Sequence, residues 1–263
     1  MSAALFRQLW RRHRIRVAVI SCGSALWGFL APVIYRSVFG GIAVNSLPSA
    51  ITKFGSGDVG SLGGVVTIMY EHPFLVAMVL TVALSVTTSS IAGARARGSL
   101  ELILSRPLSR RALVAVTGLA TLTMLGVVLL AFVAGVVAGA AAEGVDQQLS
   151  VASLPLIWLE SLLLFGAFAS FALLSSAASD RVAPALSAAL AYVLVNYLVE
   201  VLGSLWPAAA PYQRYSLFAH FLPNAILAGH PAPGDVAILL VAALLPVLAA
   251  LWLFPRRDLA APG

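Results

Sequence analysis

Long apolar runs alternate with short polar breaks along this chain. Six runs stand out, over residues 17–38, 73–94, 112–142, 154–178, 184–205 and 236–254. About 20 apolar residues at ~1.5 Å rise each cross the ~30 Å hydrocarbon core of a bilayer, so each run predicts a spanning helix. The run 112–142 is long enough to tilt or protrude.

The breaks differ in kind. Residues 1–16 place Leu5, Phe6, Leu9 and Trp10 on one helical face and Arg7, Arg11, Arg12, Arg14 and Arg16 elsewhere. That pattern predicts an amphipathic helix in the membrane interface, with its arginines toward anionic headgroups. A plain positive flank of the first span and a nucleic-acid patch are the alternatives; aromatics opposite the arginines suit lipid better. Residues 40–70 are rich in glycine and serine and predict an irregular, partly amphipathic outer loop. Residues 206–233 interleave Pro207, Pro211, Pro223, Pro231 and Pro233 with Trp206, Tyr212, Tyr215, Phe218 and Phe221. They predict a broken interfacial or re-entrant hairpin with aromatics at headgroup level.

Between the second and third spans, Leu100, Ile103 and Leu104 fall at helical spacing amid Arg95, Arg97, Arg106, Arg110 and Arg111. Pro107 ends that short helix, because the residue before proline is driven out of the helical region. Ser109 then caps the next long helix.

Composition narrows the class. Apolar residues make up 60% of the 263 and charged residues 10%, against ~45–50% apolar in soluble domains. The fold class is therefore an all-α polytopic membrane protein. The lone Cys22 excludes an intramolecular disulfide framework and argues against a cysteine metal site. The single lysine, Lys53, precedes its glycines, so no P-loop is present. Four apolar residues between Arg16 and Ser21 are too few for a cleaved signal core, so the first span is read as uncleaved.

Basic residues orient the spans. Five lie in residues 1–16, five in 94–111, one in the turn 179–183 and two in the tail, thirteen on one side; Arg36, Lys53 and Arg214 lie on the other. The positive-inside rule puts both termini and the 95–111 segment in the cytoplasm of a cell-membrane protein. The net charge of +6 reflects this asymmetry and implies no nucleic-acid partner.

Ionisable groups inside spans default to functional hypotheses. Glu160 and Glu200 fall near the outer ends of their runs, and Tyr192, Asn196 and Glu200 share one face at a spacing of four. Thr81, Ser85 and Ser89 form a second stripe on the second span. One reading is an outer cavity for polar or cationic cargo. The other is ordinary helix contacts, or pairing of the glutamates with Arg214 or Arg36. Gly135 and Gly139 match a close-approach motif that arises easily by chance in so glycine- and alanine-rich a chain. His13, His72, His220 and His230 share no ligand spacing, and no metal is assigned.

The stretch Gly98-Ser99-Leu100-Glu101-Leu102-Ile103-Leu104-Ser105-Arg106-Pro107-Leu108-Ser109-Arg110 resembles the Gly-Thr-Leu-Glu-Leu-Leu-Leu-(Ser/Ala)-(Arg/Lys)-Pro-(Val/Leu)-Ser-Arg motif of ABC-2 type transporter permeases. The tail Phe254-Pro255-Arg256-Arg257-Asp258-Leu259 resembles the Phe-x-Arg-Arg-Asp-Leu ending common in that family. The resemblance implies a half-transporter in which 1–16 is an elbow helix and 17–259 a six-span domain with coupling segment 95–111. Two such subunits, copies or sister permeases, would pair above two separate ATPase subunits, which hold the ATP and Mg; this chain would carry no cofactor and perform no catalysis. By carry-over, Leu100, Ile103 and Leu104 fill a groove on the ATPase, Glu101 and Arg106 meet its rim, and Ser99 belongs to the same segment. Two departures bear on the ion pairs. Ala94-Arg95-Ala96-Arg97 stands where the family often has acidic residues, and Thr117-Gly118 where it commonly has a lysine.

Other readings remain. An ATPase-linked subunit could assist assembly of an extracytoplasmic protein or sense a drug. An intramembrane serine protease could use Ser170, Ser175 or Ser176, but no histidine lies inside a confident span. Family cargoes run from drugs and lipids to polysaccharides and peptides, and no motif here selects among them.

Overall fold

The computed structural model describes residues 2–39, 60–100 and 108–257. Helices dominate, and no strand occurs among the described residues. Six helices are long and apolar enough to cross a membrane: Ala3–Val38, Pro73–Ser90, Arg110–Glu143, Val151–Ala178, Val182–Leu205 and Pro233–Arg256.

Helix α1 runs Ser2–Ile34 and widens into a π turn over Tyr35–Phe39. Pro32, just before that turn, lacks the N–H that would continue the regular ladder. The expected interfacial segment 1–16 and the first span are thus one unbroken helix. At ~1.5 Å per residue it is ~50 Å long, well beyond the hydrocarbon core. Leu9, His13 and Val17, four apart, are buried, and Leu5 packs on a cluster at the base of the bundle, while Arg7, Arg11 and Arg12 stay exposed.

The expectation of an irregular loop through residue 70 is corrected. Helix α2 covers Leu62–Glu71 and buries Leu62, Val65, Val66, Met69 and Tyr70. Ser61 caps it by accepting from Gly64 N at 3.0 Å. The helix forms because α1, the next span and a later short helix cover it, shielding its apolar side chains. The rest of that loop, 40–59, lies outside the described residues.

Helix α3 is Pro73–Ser90, shorter than the run that predicted it. Thr87, Thr88 and Ser90 turn their hydroxyls back onto Ala83, Leu84 and Val86 carbonyls, which loosens the last turn. The chain breaks at Ile91 and resumes as α4, Ala92–Ala96. Ser176 stitches the break: its hydroxyl accepts from Ala92 N and donates to Thr87 O, both at 3.0 Å.

Helix α5, Arg110–Glu143, starts where Ser109 accepts from Ala112 N at 3.1 Å, as its position after Pro107 predicts. It ends at Gly144, whose φ of 67° only glycine adopts without strain. Helices α1 and α5 share the most extensive interface. A β-carbon on Gly135 or Gly139 would land on the carbonyl oxygen of Ala25 or Phe29, and one on Gly28 on that of Phe132. The glycine motif is therefore a real seam between backbones.

Helix α6, Leu154–Ala178, sits at the centre and touches α3, α5, α7 (Val182–Leu205) and α9 (Pro233–Leu253). Between α7 and α9 the chain breaks into short 3-10 turns and the five-residue helix α8, Pro223–Leu227, as the prolines predict. Helices α7 and α9 leave Leu194, Val195, Leu198, Val241, Leu244 and Leu245 exposed, a surface suited to lipid or another chain.

Candidate functional site

Because the spans alternate in direction, the starts of α1, α5 and α7 and the ends of α4, α6 and α9 meet at one end of the bundle. That end carries most of the arginines. Ile91, Ala94, Leu100, Leu113, Val114, Leu173, Ala177, Ala250 and Phe254 form an apolar cluster there, joining α4, α5, α6 and α9.

A set of charged contacts closes over the cluster. Asp180, in the turn between α6 and α7, accepts from Arg257 Nη2 at 2.6 Å and pairs with Arg95 Nη1 at 3.0 Å. Arg257 Nη1 also donates to Ala177 O at 2.9 Å. Arg110 Nη1 donates to the carbonyls of Pro255 and Arg257 at 3.2 and 2.9 Å. The tail after α9 is thereby fastened to the start of α5, the end of α6 and the helix that leads into residues 98–107. Asp180 is half exposed, whereas the Arg95 side chain is only 10% exposed. Solvent screens the carboxylate more than its partner, so the bridge is firm without being a fully buried pair.

The expected coupling residues divide between two situations. Ser99 donates to Ala94 O at 3.1 Å. Leu100 is 3% exposed and packs into the apolar cluster. It anchors the segment to its own bundle. Glu101, Ile103, Leu104 and Arg106 lie outside the described residues. The sequence reading gave Asp180, Arg257 and Ser176 no part in joining the helices at this end. Asp180 did carry a signal: among the described residues it is the acidic side chain at the arginine-rich end.

At the opposite end, the polar stripe on α7 holds the broken segment in place. Asn196 is buried; its Oδ1 accepts from Leu217 N at 2.9 Å and its Nδ2 donates to Tyr192 O at 2.9 Å. Ser216 Oγ donates to the Asn196 carbonyl at 3.0 Å. Gln213 Nε2 donates to Glu200 Oε1 at 3.0 Å and to Ser204 Oγ at 3.0 Å. Tyr192 stacks on Phe171 with ring centroids 4.3 Å apart. Ser85 and Ser89 bond their own helix at Val82 O and Val86 O.

Glu160 is 3% exposed within α6, and its Oε1 meets no hydrogen-bond partner among the described residues. Arg36 lies by Glu143 at 3.8 Å and Arg214 stacks on Tyr215, so neither takes up the glutamates as expected. The cleft beside Glu200, lined by Ile68, Glu71, Tyr197, Ser204 and Phe218, offers about 30 Å³. That is room for a water or two, not for cargo. In the single chain, Tyr192, Asn196 and Glu200 serve as packing and hydrogen-bonding contacts.

Six spanning helices clasped at an arginine-rich end define a polytopic helical membrane protein. The described ends of its motif-bearing segment, through Leu100 and from Ser109, are tied to the rest of the bundle. A family model described as ABC-2 family transporter protein matches residues 6–259, and the chain belongs to that family. It is thus a transport-related, multi-pass membrane subunit of a kind that works with an ABC ATPase subunit. A search of the curated proteins finds no match.

Proposed function

We propose that this chain is the permease subunit of an ATP-driven exporter and that residues 98–107 couple it to a separate ATPase. The supporting observation is the clasp. Leu100 sits in the apolar cluster, and Arg95, Asp180, Arg257 and Arg110 bind the ends of α4, α5, α6 and α9 to one another. A displacement of the segment by ATP-driven closure of the ATPases would reach four helices together. The close α1–α5 seam would carry α1 along with α5.

Two copies of the chain pair above two ATPase subunits, which hold ATP and Mg. Both termini face the cytoplasm across the cell membrane, as the thirteen basic residues at one end support. The chain contributes differential contacts with cargo and with the two ATPase states, which any coupled shift of population requires. In this reading the cargo path lies between the two subunits.

The test is purification of the tagged chain from its native membrane in mild detergent. Co-purification of a Walker-motif ATPase at about equal stoichiometry supports the reading. Glu101→Arg should then abolish stimulation of its hydrolysis by the permease while leaving membrane insertion intact. A chain that comes alone, even after crosslinking through residues 98–111, overturns it.

A further inference from the structure

A groove of about 450 Å³ opens on the outside of the bundle between the first turns of α5 and the last turns of α9. Its volume lies within the ~300–1,000 Å³ range of small-ligand sites. Arg111, Ala112, Ala115, Leu248, Leu251 and Trp252 line it. The two alanines leave the space, and the leucines and the indole make its apolar walls. Leu248 and Trp252 are each 59% exposed, so the groove faces outward from the bundle.

Its polar end is cationic. Arg111 is exposed at the rim, and Arg256 stacks on the Trp252 ring with its Cζ 4.4 Å from the centroid. Arg111 lines the groove beside Trp252, and Arg256 stacks on that same ring. Arg256 also donates to Trp252 O at 2.7 Å, which fixes the guanidinium beside the ring. Neither arginine joins an ion pair among the described residues; Asp180 is committed to Arg95 and Arg257 instead. Tryptophan and arginine are enriched at headgroup depth, and here they stand where α5 starts and α9 ends.

We propose that this groove binds an anionic phospholipid. One acyl chain lies along Ala112, Ala115, Leu248 and Leu251, and the phosphate is held by Arg111 and Arg256. The charge fits: two cations without acidic partners among the described residues complement a phosphodiester, and a zwitterionic headgroup would bring its own cation against them. The groove continues the lipid-facing surface of α9, so an acyl chain enters it from the bilayer without leaving apolar surroundings. From the proposed function this takes only the placing of the arginine-rich end in the cytoplasmic leaflet, where anionic lipid attracts basic residues. The bound lipid would rest on the start of α5 and the tail that Arg110 and Arg257 fasten, and so brace the clasp.

The test is native mass spectrometry of the purified full chain, titrated with phosphatidylglycerol or with phosphatidylcholine of the same acyl chains. Phosphatidylglycerol should be retained about tenfold or more in preference. Arg111→Gln and Arg256→Gln should each lower that preference about fivefold, and the double variant should erase it. Ala115→Trp, which fills the groove with both arginines intact, should release phosphatidylglycerol. Arg214→Gln, exposed at the opposite end of the bundle, should change nothing. All four positions are solvent- or lipid-facing or partly exposed, so the variants should elute as the parent does. Equal retention of the two lipids, an unchanged preference in the double variant, or full retention by Ala115→Trp overturns the proposal. So does exclusion of both lipids by a second copy seated on this face. No arm needs the ATPase, so loss of the coupling reading would leave this result standing, and the reverse.

Discussion

Asp180→Asn tests the clasp most directly, because it changes one atom type and keeps the shape. The Asp180 carboxylate accepts from Arg257 at 2.6 Å and lies 3.0 Å from Arg95. Both contacts fall on Oδ1, so the amide can keep that acceptor in place, and what it removes is the negative charge shared by two guanidinium groups. Hydrogen bonds to charged groups are worth ~1.5–3 kcal/mol each, and leaving cations without their shared counter-charge adds to the loss. Asp180 is half exposed, so screening by solvent takes back part of this. The net expectation is a loss of about 2 kcal/mol. For a chain of this size that lowers the unfolding midpoint by about 4–8 °C. The assay is thermal unfolding of the purified protein in one detergent, with Asp146→Asn, in an exposed 3-10 turn, as the control. Asp180→Glu should recover part of the loss. A double-mutant cycle with Arg95→Gln should give a coupling of about 1 kcal/mol, since the two residues share a contact. A midpoint shift under 1 °C with Asp180→Asn, or strict additivity in the cycle, would refute the clasp as a unit.

Three further outcomes follow from the geometry. Gly135→Val places branched carbons on the Ala25 carbonyl and should cost about 3 kcal/mol or prevent folding, whereas Gly118→Ala, facing only the Leu173 side chain, should be mild; yield and unfolding midpoint check both. Asn196→Leu leaves the buried Leu217 N–H without its acceptor and should cost about 2 kcal/mol, seen as a lower midpoint and faster proteolysis within 206–222. His72 caps α3 by accepting from Phe74 N at 3.2 Å, and burial lowers its pKa below the ordinary 6.5. The unfolded chain then binds the proton first, so His72's contribution is full above pH ~6.5 and is lost as pH falls through the lowered value. Midpoints measured from pH 7.5 down should fall along that path, and His72→Asn, which caps without titrating, should flatten it.

The sequence by itself determined what local chemistry decides. Hydropathy over about twenty residues located the six spans, and proline spacing marked the break between α7 and α9. The arginine count ordered the two ends, and Ser109 after Pro107 marked the start of α5. The motif around Leu100 pointed to the family before any contact was known. Those features depend on neighbours a few residues apart. Tertiary structure decided whatever depends on which faces meet. A glycine-rich stretch became helix α2 because other helices cover it, a gain absent from its own composition. The second span ends at Ser90 because Ser176, 86 residues on, satisfies the backbone groups of the break. The Gly135 and Gly139 spacing, common by chance, became a seam only when Ala25 and Phe29 arrived opposite it. Likewise Leu100 turned inward, Asn196 became an anchor, and Asp180 became the junction of Arg95 and Arg257. Helical periodicity shows that such residues share a face, but only packing shows what that face meets.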